Sequence, residues 1–241
     1  LGIDGVFAPS GMDSSTSWRI TGHAFNRALV GELGASATST PDELKFNCNE
    51  NFRNIIDLYA KNSTMNGTKM VTSNRTAEAD AFAHKKVARF QNGQWATADC
   101  KGKAGRVTDD DLGRLPIYCG INNDNITEST QGLCIGTEAY WCINKKSSSK
   151  KQENAAKFLN YLFNGDGKKL VVNDLGFNAP FKGFASDATL APKDPLVKEV
   201  VTWMNKSGIN SVAWDFPLVP NTDAQRADLV NSLKAYYNDN F

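Results

Sequence analysis

Four tryptophans in this sequence stand beside polar residues at breaks in the apolar pattern: Trp18-Arg19, Gln94-Trp95, Tyr140-Trp141 and Trp214-Asp215. A flat ring next to amide, carboxylate or guanidinium groups suits a sugar. The C–H-rich faces of a sugar stack on aromatic rings while its hydroxyls need hydrogen-bond partners. Taken singly, each tryptophan also fits a packing role at an element boundary. Covalent chemistry has less to draw on, because the chain carries no G-x-S-x-G, H-E-x-x-H, Walker A or G-x-G-x-x-G motif. His23 and His84 each lie in a helical pattern with no serine, cysteine or aspartate singled out as a companion. Asp109-Asp110-Asp111 reads as a solvated turn. The stretch from Asn122 to Glu128 has oxygens enough for a weak calcium site but lacks the ordered D-x-D-x-D-G spacing, so it reads as a polar loop. A carboxylate pair for glycoside hydrolysis would meet in space rather than in sequence, and that option stays open. Cys48, Cys100, Cys119, Cys134 and Cys142 form neither a C-x-x-C nor a Cys/His cluster, which argues against zinc and fits buried free thiols or at most one incidental disulfide.

The elements that must position these groups belong to a chain of 241 residues, 41% hydrophobic and 22% charged, enough for one large domain or two lobes. A net charge of +1 supplies no field for a phosphate backbone or an anionic membrane, so no nucleic-acid partner is expected. No apolar run reaches the roughly 18 residues that span a bilayer. The opening Leu1-Gly2-Ile3-Asp4 is neither an initiator methionine nor a signal peptide, and it reads as a loop entering a strand with further chain ahead of it.

Helical and strand signals interleave along the chain, which predicts an α/β fold. Ser17 to Leu33 carries Trp18, Phe25, Leu29 and Leu33 on one side and stops at Gly34, as with a left-handed cap. Asn49 is placed to cap a helix whose Phe52, Ile55, Ile56 and Tyr59 follow the i, i+3, i+4, i+7 rule. Thr76 opens another helix through His84, followed by a strand from Val87 to Gln91 and an Asn92-Gly93 turn. A strand pair is expected around Leu115–Cys119 and Gly132–Asn144. Ser149 to Gln152 reads as a capping box ahead of Ala155, Ala156, Leu159, Leu162 and Phe163. Lys168 to Leu175 should stop at Gly176. Asp194-Pro195 caps a helix buried through Leu196, Val197, Val200, Val201 and Met204. Asp223 opens the last helix, with Leu229, Val230, Leu233 and Tyr237 facing inward.

Three blocks in order carry a family resemblance. Phe82 to Trp95, ending in the turn Asn92-Gly93-Gln94-Trp95, resembles the helix, strand and N-G-x-W turn of extracellular solute-binding proteins of bacterial sugar ABC importers. Leu115-Pro116-Ile117 followed by Gly136 to Lys146 is similar to that family's strand crossing between lobes, and Gln152 to Leu162 with Gly165 to Leu170 to its helix pair. Val212-Ala213-Trp214-Asp215 sits where many members place a further cleft aromatic.

The resemblance implies a periplasmic-binding-protein-like (type II) two-lobed fold, present mainly as its C-terminal lobe. Residues 1–142 and 193–241 would form that lobe, and residues 143–192 would cross the hinge and build part of an N-terminal lobe. Isolated helices bury little, so the crossing segment is expected to expose an apolar face. It further implies an extracytoplasmic monomer, periplasmic or lipid-anchored on a Gram-positive surface. Such a protein has no catalytic residue, metal or cofactor; it binds a mono- or oligosaccharide and hands it to the membrane permease subunits of an importer. Carried over by position, Trp95 and Trp214 are the stacking rings and Asn92 and Gln94 their hydroxyl partners. Trp18, Arg19, Glu138, Trp141 and Asp215 are further candidates. Two rivals remain at this stage: a carbohydrate-active enzyme fragment, and the same fold taking a polyamine, peptide or phosphate, for which the carboxylates Glu138 and Asp215 beside aromatics leave room.

Overall fold

A computed structural model describes residues 2–8, 11–35, 37–64, 68–136, 140–179, 181, 184 and 186–240. Short parallel strands are joined through helices. Strand β1 (Gly5–Ala8) pairs with β2 (Val87–Phe90), Gly5 opposite Val87 and Ala8 opposite Phe90. Between them run π-helical turns over Arg19–Ala24, continuous with α1 (Phe25–Leu33), then α2 (Asn49–Lys61), α3 (Thr68–Thr72) and α4 (Arg75–Ala83). Helix α5 (Thr97–Lys101) follows β2. Strand β3 (Gln131–Cys134) pairs in parallel with β4 (Asn210–Val212). Helix α6 (Ser149–Asn164), α7 (Gly167–Lys169) with the π turns Leu170–Asp174, and α8 (Pro195–Met204) lie between those strands, and α9 (Thr222–Asn240) closes the chain. Parallel strands need crossovers long enough to hold helices, and this is the α/β arrangement expected.

The main core gathers Ile20, Ala24, Ala28 and Val30 with Phe52, Ile55, Ile56 and Tyr59 of α2 and Leu233 and Tyr237 of α9. All four periodic positions of α2 are therefore buried, as the sequence predicts. A second cluster, separate from the first, joins Leu162, Val171, Val172, Ala179 and Phe184 to Val197 of α8. Around it the segment exposes apolar side chains as expected: α6 buries only Leu162 and leaves Phe158 and Tyr161 half in solvent.

Several local expectations are corrected. Leu115–Cys119 does not pair with β3; Pro116 has no N–H to give, and the N–H groups of Cys119 and Ile121 donate to the Glu128 carboxylate at 3.2 and 3.0 Å. The Ser149 capping box does not form, because Ser148 is the cap residue and the Gln152 amide donates to the carbonyl of Ser147 at 2.6 Å. Cys48 rather than Asn49 precedes α2, and Asn74 rather than Thr76 caps α4, accepting from Ala77 N–H at 3.1 Å. Gly34 ends α1 with φ +90° and ψ 155°, a glycine conformation but not the left-handed helical one. Met204 is 40% exposed rather than buried. Asp194 behaves as expected, its carboxylate accepting from Leu196 and Val197 N–H at the start of α8 with Pro195 behind it.

Candidate functional site

The strands aim at one place. β2 ends at Phe90 and runs into Asn92 and Trp95, β3 runs into Gly136, and β4 runs into Trp214. All of these lie just beyond the carboxyl ends of parallel strands, where ligands of open α/β sheets characteristically bind. A cavity of about 1980 Å³ opens there, lined among others by His23, Asn92, Gln94, Trp95, Trp141 and Trp214. The lining also includes Phe158, Phe181 and Phe184 from the segment between β3 and α8.

The aromatic wall is a contact cluster, not scattered rings. Trp18 and Trp95 stack at 5.8 Å and 29°. The His23 imidazole stands edge-on to Trp18 at 4.8 Å, to Trp214 at 5.2 Å and to Trp95 at 6.4 Å. Trp95 is 42% exposed, while Trp18, His23 and Trp214 are half-buried. Offset and edge-to-face ring pairs of this kind add roughly 0.5–1.5 kcal/mol each beyond area burial.

Two glycines make the wall possible. A Cβ on Gly93 would fall 2.1 Å from the Trp95 ring, and one on Gly136 would fall 2.3 Å from Cβ of Trp214. Arg19 then braces the cluster from inside. Its guanidinium lies 4.5 Å from the Trp18 ring centre, its Nε donates to Asn92 Oδ1 at 3.1 Å, and its carbonyl accepts from the Gln91 amide at 2.9 Å. Burial lowers the Arg19 pKa from its ordinary value.

The sequence-derived candidates therefore separate. Trp95, Trp214, Asn92, Gln94 and Trp141 line the cavity, with Trp141 next to Phe158 at 6.1 Å. Trp18 and Arg19 support the wall from behind. Asn92 spends its carbonyl oxygen on Arg19 and on Gly93 N–H, so only its amide nitrogen is uncommitted. Asp215 is buried outside the cavity lining, and burial pushes its carboxyl up to about 6. Glu138 lies outside the described residues. The sequence reading missed His23 as a wall residue by weighing it only as a catalytic base. A signal was available: Arg19, His23 and Asn26 recur at i, i+4, i+7, a polar stripe beside the apolar one.

The other chemical candidates have structural employment. Glu128 is ion-paired to buried Arg27 at 2.6 Å as well as capping the Cys119 and Ile121 amides, and Asn123 and Asn125 donate to the carbonyl of Gly31 at the end of α1. Asp111 caps its own turn through Thr108 and pairs with Lys85 at 2.9 Å. His84 sits at the end of α4 with Nδ1 2.8 Å from the carbonyl of Asp80. Burial pushes the thiols of Cys100 and Cys119 up to about 11 and about 12, which leaves them protonated and unreactive. Among the described residues no group of three or more His, Cys, Asp or Glu is placed to hold a metal, and no helix is long and apolar enough to cross a membrane.

Cleft, wall and strand ends define a binding protein, and comparison with known families agrees. A family model described as bacterial extracellular solute-binding protein matches residues 4–199. The chain belongs to that family, whose fold is periplasmic-binding-protein-like and whose members bind a small molecule outside the cytoplasm for an ABC importer. Searches of curated proteins and of solved structures return no match.

Proposed function

We propose that the cleft binds a mono- or oligosaccharide and that the protein delivers it by cleft closure, without covalent chemistry. The observation that carries this reading is the wall formed by His23, Trp95 and Trp214, backed by Trp18, with Gln94 at its edge. Flat rings stack on sugar faces, and neutral amides suit hydroxyls. The volume exceeds the roughly 300–1,000 Å³ of most small-ligand sites, which leaves room for more than one sugar ring.

The architecture that goes with this function is two-lobed and of type II. Residues 1–142 and 193–241 belong to one lobe and residues 143–192 cross the hinge into the other, in a monomer. Solute contacts made only in the closed form would shift the population toward closure, and the importer's permease subunits would read the closed shape. A polyamine would want carboxylates around the rings. Among the described lining residues the carboxylates are Asp111, paired with Lys85, and Glu199, which accepts from the Arg114 backbone N–H at 3.4 Å, and the cations besides Arg27, which is spent on Glu128, are Arg89 and Arg114. That balance disfavours a cationic solute such as a polyamine. The same two carboxylates give a glycosidase little to work with, since Asp111 is spent on its own turn.

A thermal-shift panel of glucose, galactose, maltose, cellobiose, spermidine and tripeptides tests the reading. A saturable rise in melting temperature with one sugar class is the expected result. A rise with spermidine or peptide alone would overturn the sugar assignment and keep the cleft, and turnover of a disaccharide would overturn the non-catalytic reading.

A further inference from the structure

Trp214 sits in a loop, past the end of β4, where no strand ladder fixes the backbone. Its two neighbours in the chain are held instead by one side chain from another element. The Nδ2 of Asn26 donates to the carbonyl of Ala213 at 2.8 Å, and its Oδ1 accepts from the N–H groups of Asp215 at 2.8 Å and Phe216 at 3.0 Å. The second Nδ2 hydrogen reaches Cys134 Sγ at 3.3 Å, at the end of β3. An asparagine amide has two donors and two acceptor positions, and here all four are used.

Asn26 is fully buried in α1, a poor place for a polar residue unless every group is satisfied. An apolar side chain of equal size would strand two N–H groups of the loop and leave the Ala213 carbonyl only the weak Cys134 Sγ–H donor at 3.6 Å. One turn earlier the same helix meets the ring itself: His23 stands edge-on to Trp214, and Gly22 leaves a gap in which a Cβ would lie 3.6 Å from Trp214 Cη2. The π-helical turns over Arg19–Ala24 set the rotation between these two contacts, and such turns recur at functional sites.

We propose that Asn26 is the positioning residue of the cleft: it never meets solute, and it holds Trp214 in the wall by clamping the backbone on both sides of it. Cleft affinity then depends on a residue buried behind the wall. The proposal builds on the assignment of Trp214 to the binding wall, but its test is made without solute, so it stands or falls separately from the choice of sugar.

The chain has five tryptophans, so labelling with 5-fluorotryptophan gives five fluorine resonances, assigned by single Trp→Phe changes. In Asn26→Leu the Trp214 resonance is expected to shift or broaden by more than its linewidth. Those of Trp203, anchored through Nε1 to the carbonyl of Arg114 at 3.0 Å, and of Trp141, beside Phe158, are expected to stay in place. Asn26→Ser, which can still fill some of the bonds, should give a smaller displacement of the same resonance. Movement of all five together, or an unmoved Trp214 in both variants, would overturn the proposal. So would failure of both to fold, since the residue would then serve the core rather than the wall.

Discussion

Trp95 keeps its ring in partial solvent because Gly93 lets the indole fold back over the backbone and Trp18 supports its other face. Gly93→Ala is expected to unseat the ring with little loss of stability, since Trp95 is already 42% exposed. Near-UV circular dichroism should lose the signal of the Trp18–Trp95 pair while the melting temperature holds. Gly136→Ala meets the root of Trp214 rather than a movable tip, so the backbone itself must give and stability falls as well. Beneath the wall, Glu78 is fully buried and accepts from Gly11 N–H and from Thr16 Oγ1 at 3.0 Å. Burial raises its carboxyl from 4.5 to about 7. The folded chain therefore holds a proton that the unfolded chain has released across that window, and stability falls as pH rises through it. Asp215 acts with the same sign, lower down, between 3.8 and about 6. Denaturation midpoints taken at about pH 6 and pH 7.5 should drop in the parent chain and drop less in Glu78→Gln; an equal drop would show that Glu78 is not the group responsible.

Helices were legible where the signal was local. The stripe of α2 and the Asp194-Pro195 start of α8 form as the residues predict, because periodic burial and a side-chain cap need no distant partner. Ile56 is 1% exposed at the centre of that stripe, and Ile56→Ala is expected to cost about 2–5 kcal/mol in chemical denaturation. Asp194→Ala removes a cap that also receives Thr97 Oγ1 at 3.0 Å, with an expected loss of about 1 kcal/mol; no loss would mean that water caps α8 as well as the carboxylate does. Strands were less legible. The strand expected over Val87–Gln91 forms over Val87–Phe90, but β3 pairs with β4 across some 80 positions of sequence, and the run Leu115–Cys119 ends with the Cys119 amide on Glu128. The carboxylate that takes the Cys119 and Ile121 amides is only seven to nine positions further on, but what holds it buried there is Arg27, 101 positions away, and no window of neighbouring residues contains that pairing.

At the scale of the molecule, the blocks Phe82–Trp95, Gly136–Lys146 and Gln152–Leu170 carried the family, and the matched family model covers all three and stops short of Trp214. The cleft tryptophans were legible because a ring beside polar residues at a strand end is unusual locally. His23 and Asn26 were not, because the contacts that give them a role lie about 70 to 190 positions away. The fold thus gathers an aromatic surface at the strand ends and braces it from one helix. Calorimetric titration of the parent chain, Trp95→Ala and Trp214→Ala with the saccharide that shifts its melting temperature most tests that surface directly. If the rings stack on solute, each substitution costs roughly 1–3 kcal/mol, or about 5- to 150-fold in Kd, whatever the lost ring pairs cost the free protein in melting temperature. Unchanged Kd with a lowered melting temperature would make both tryptophans packing residues and contradict the stacking wall.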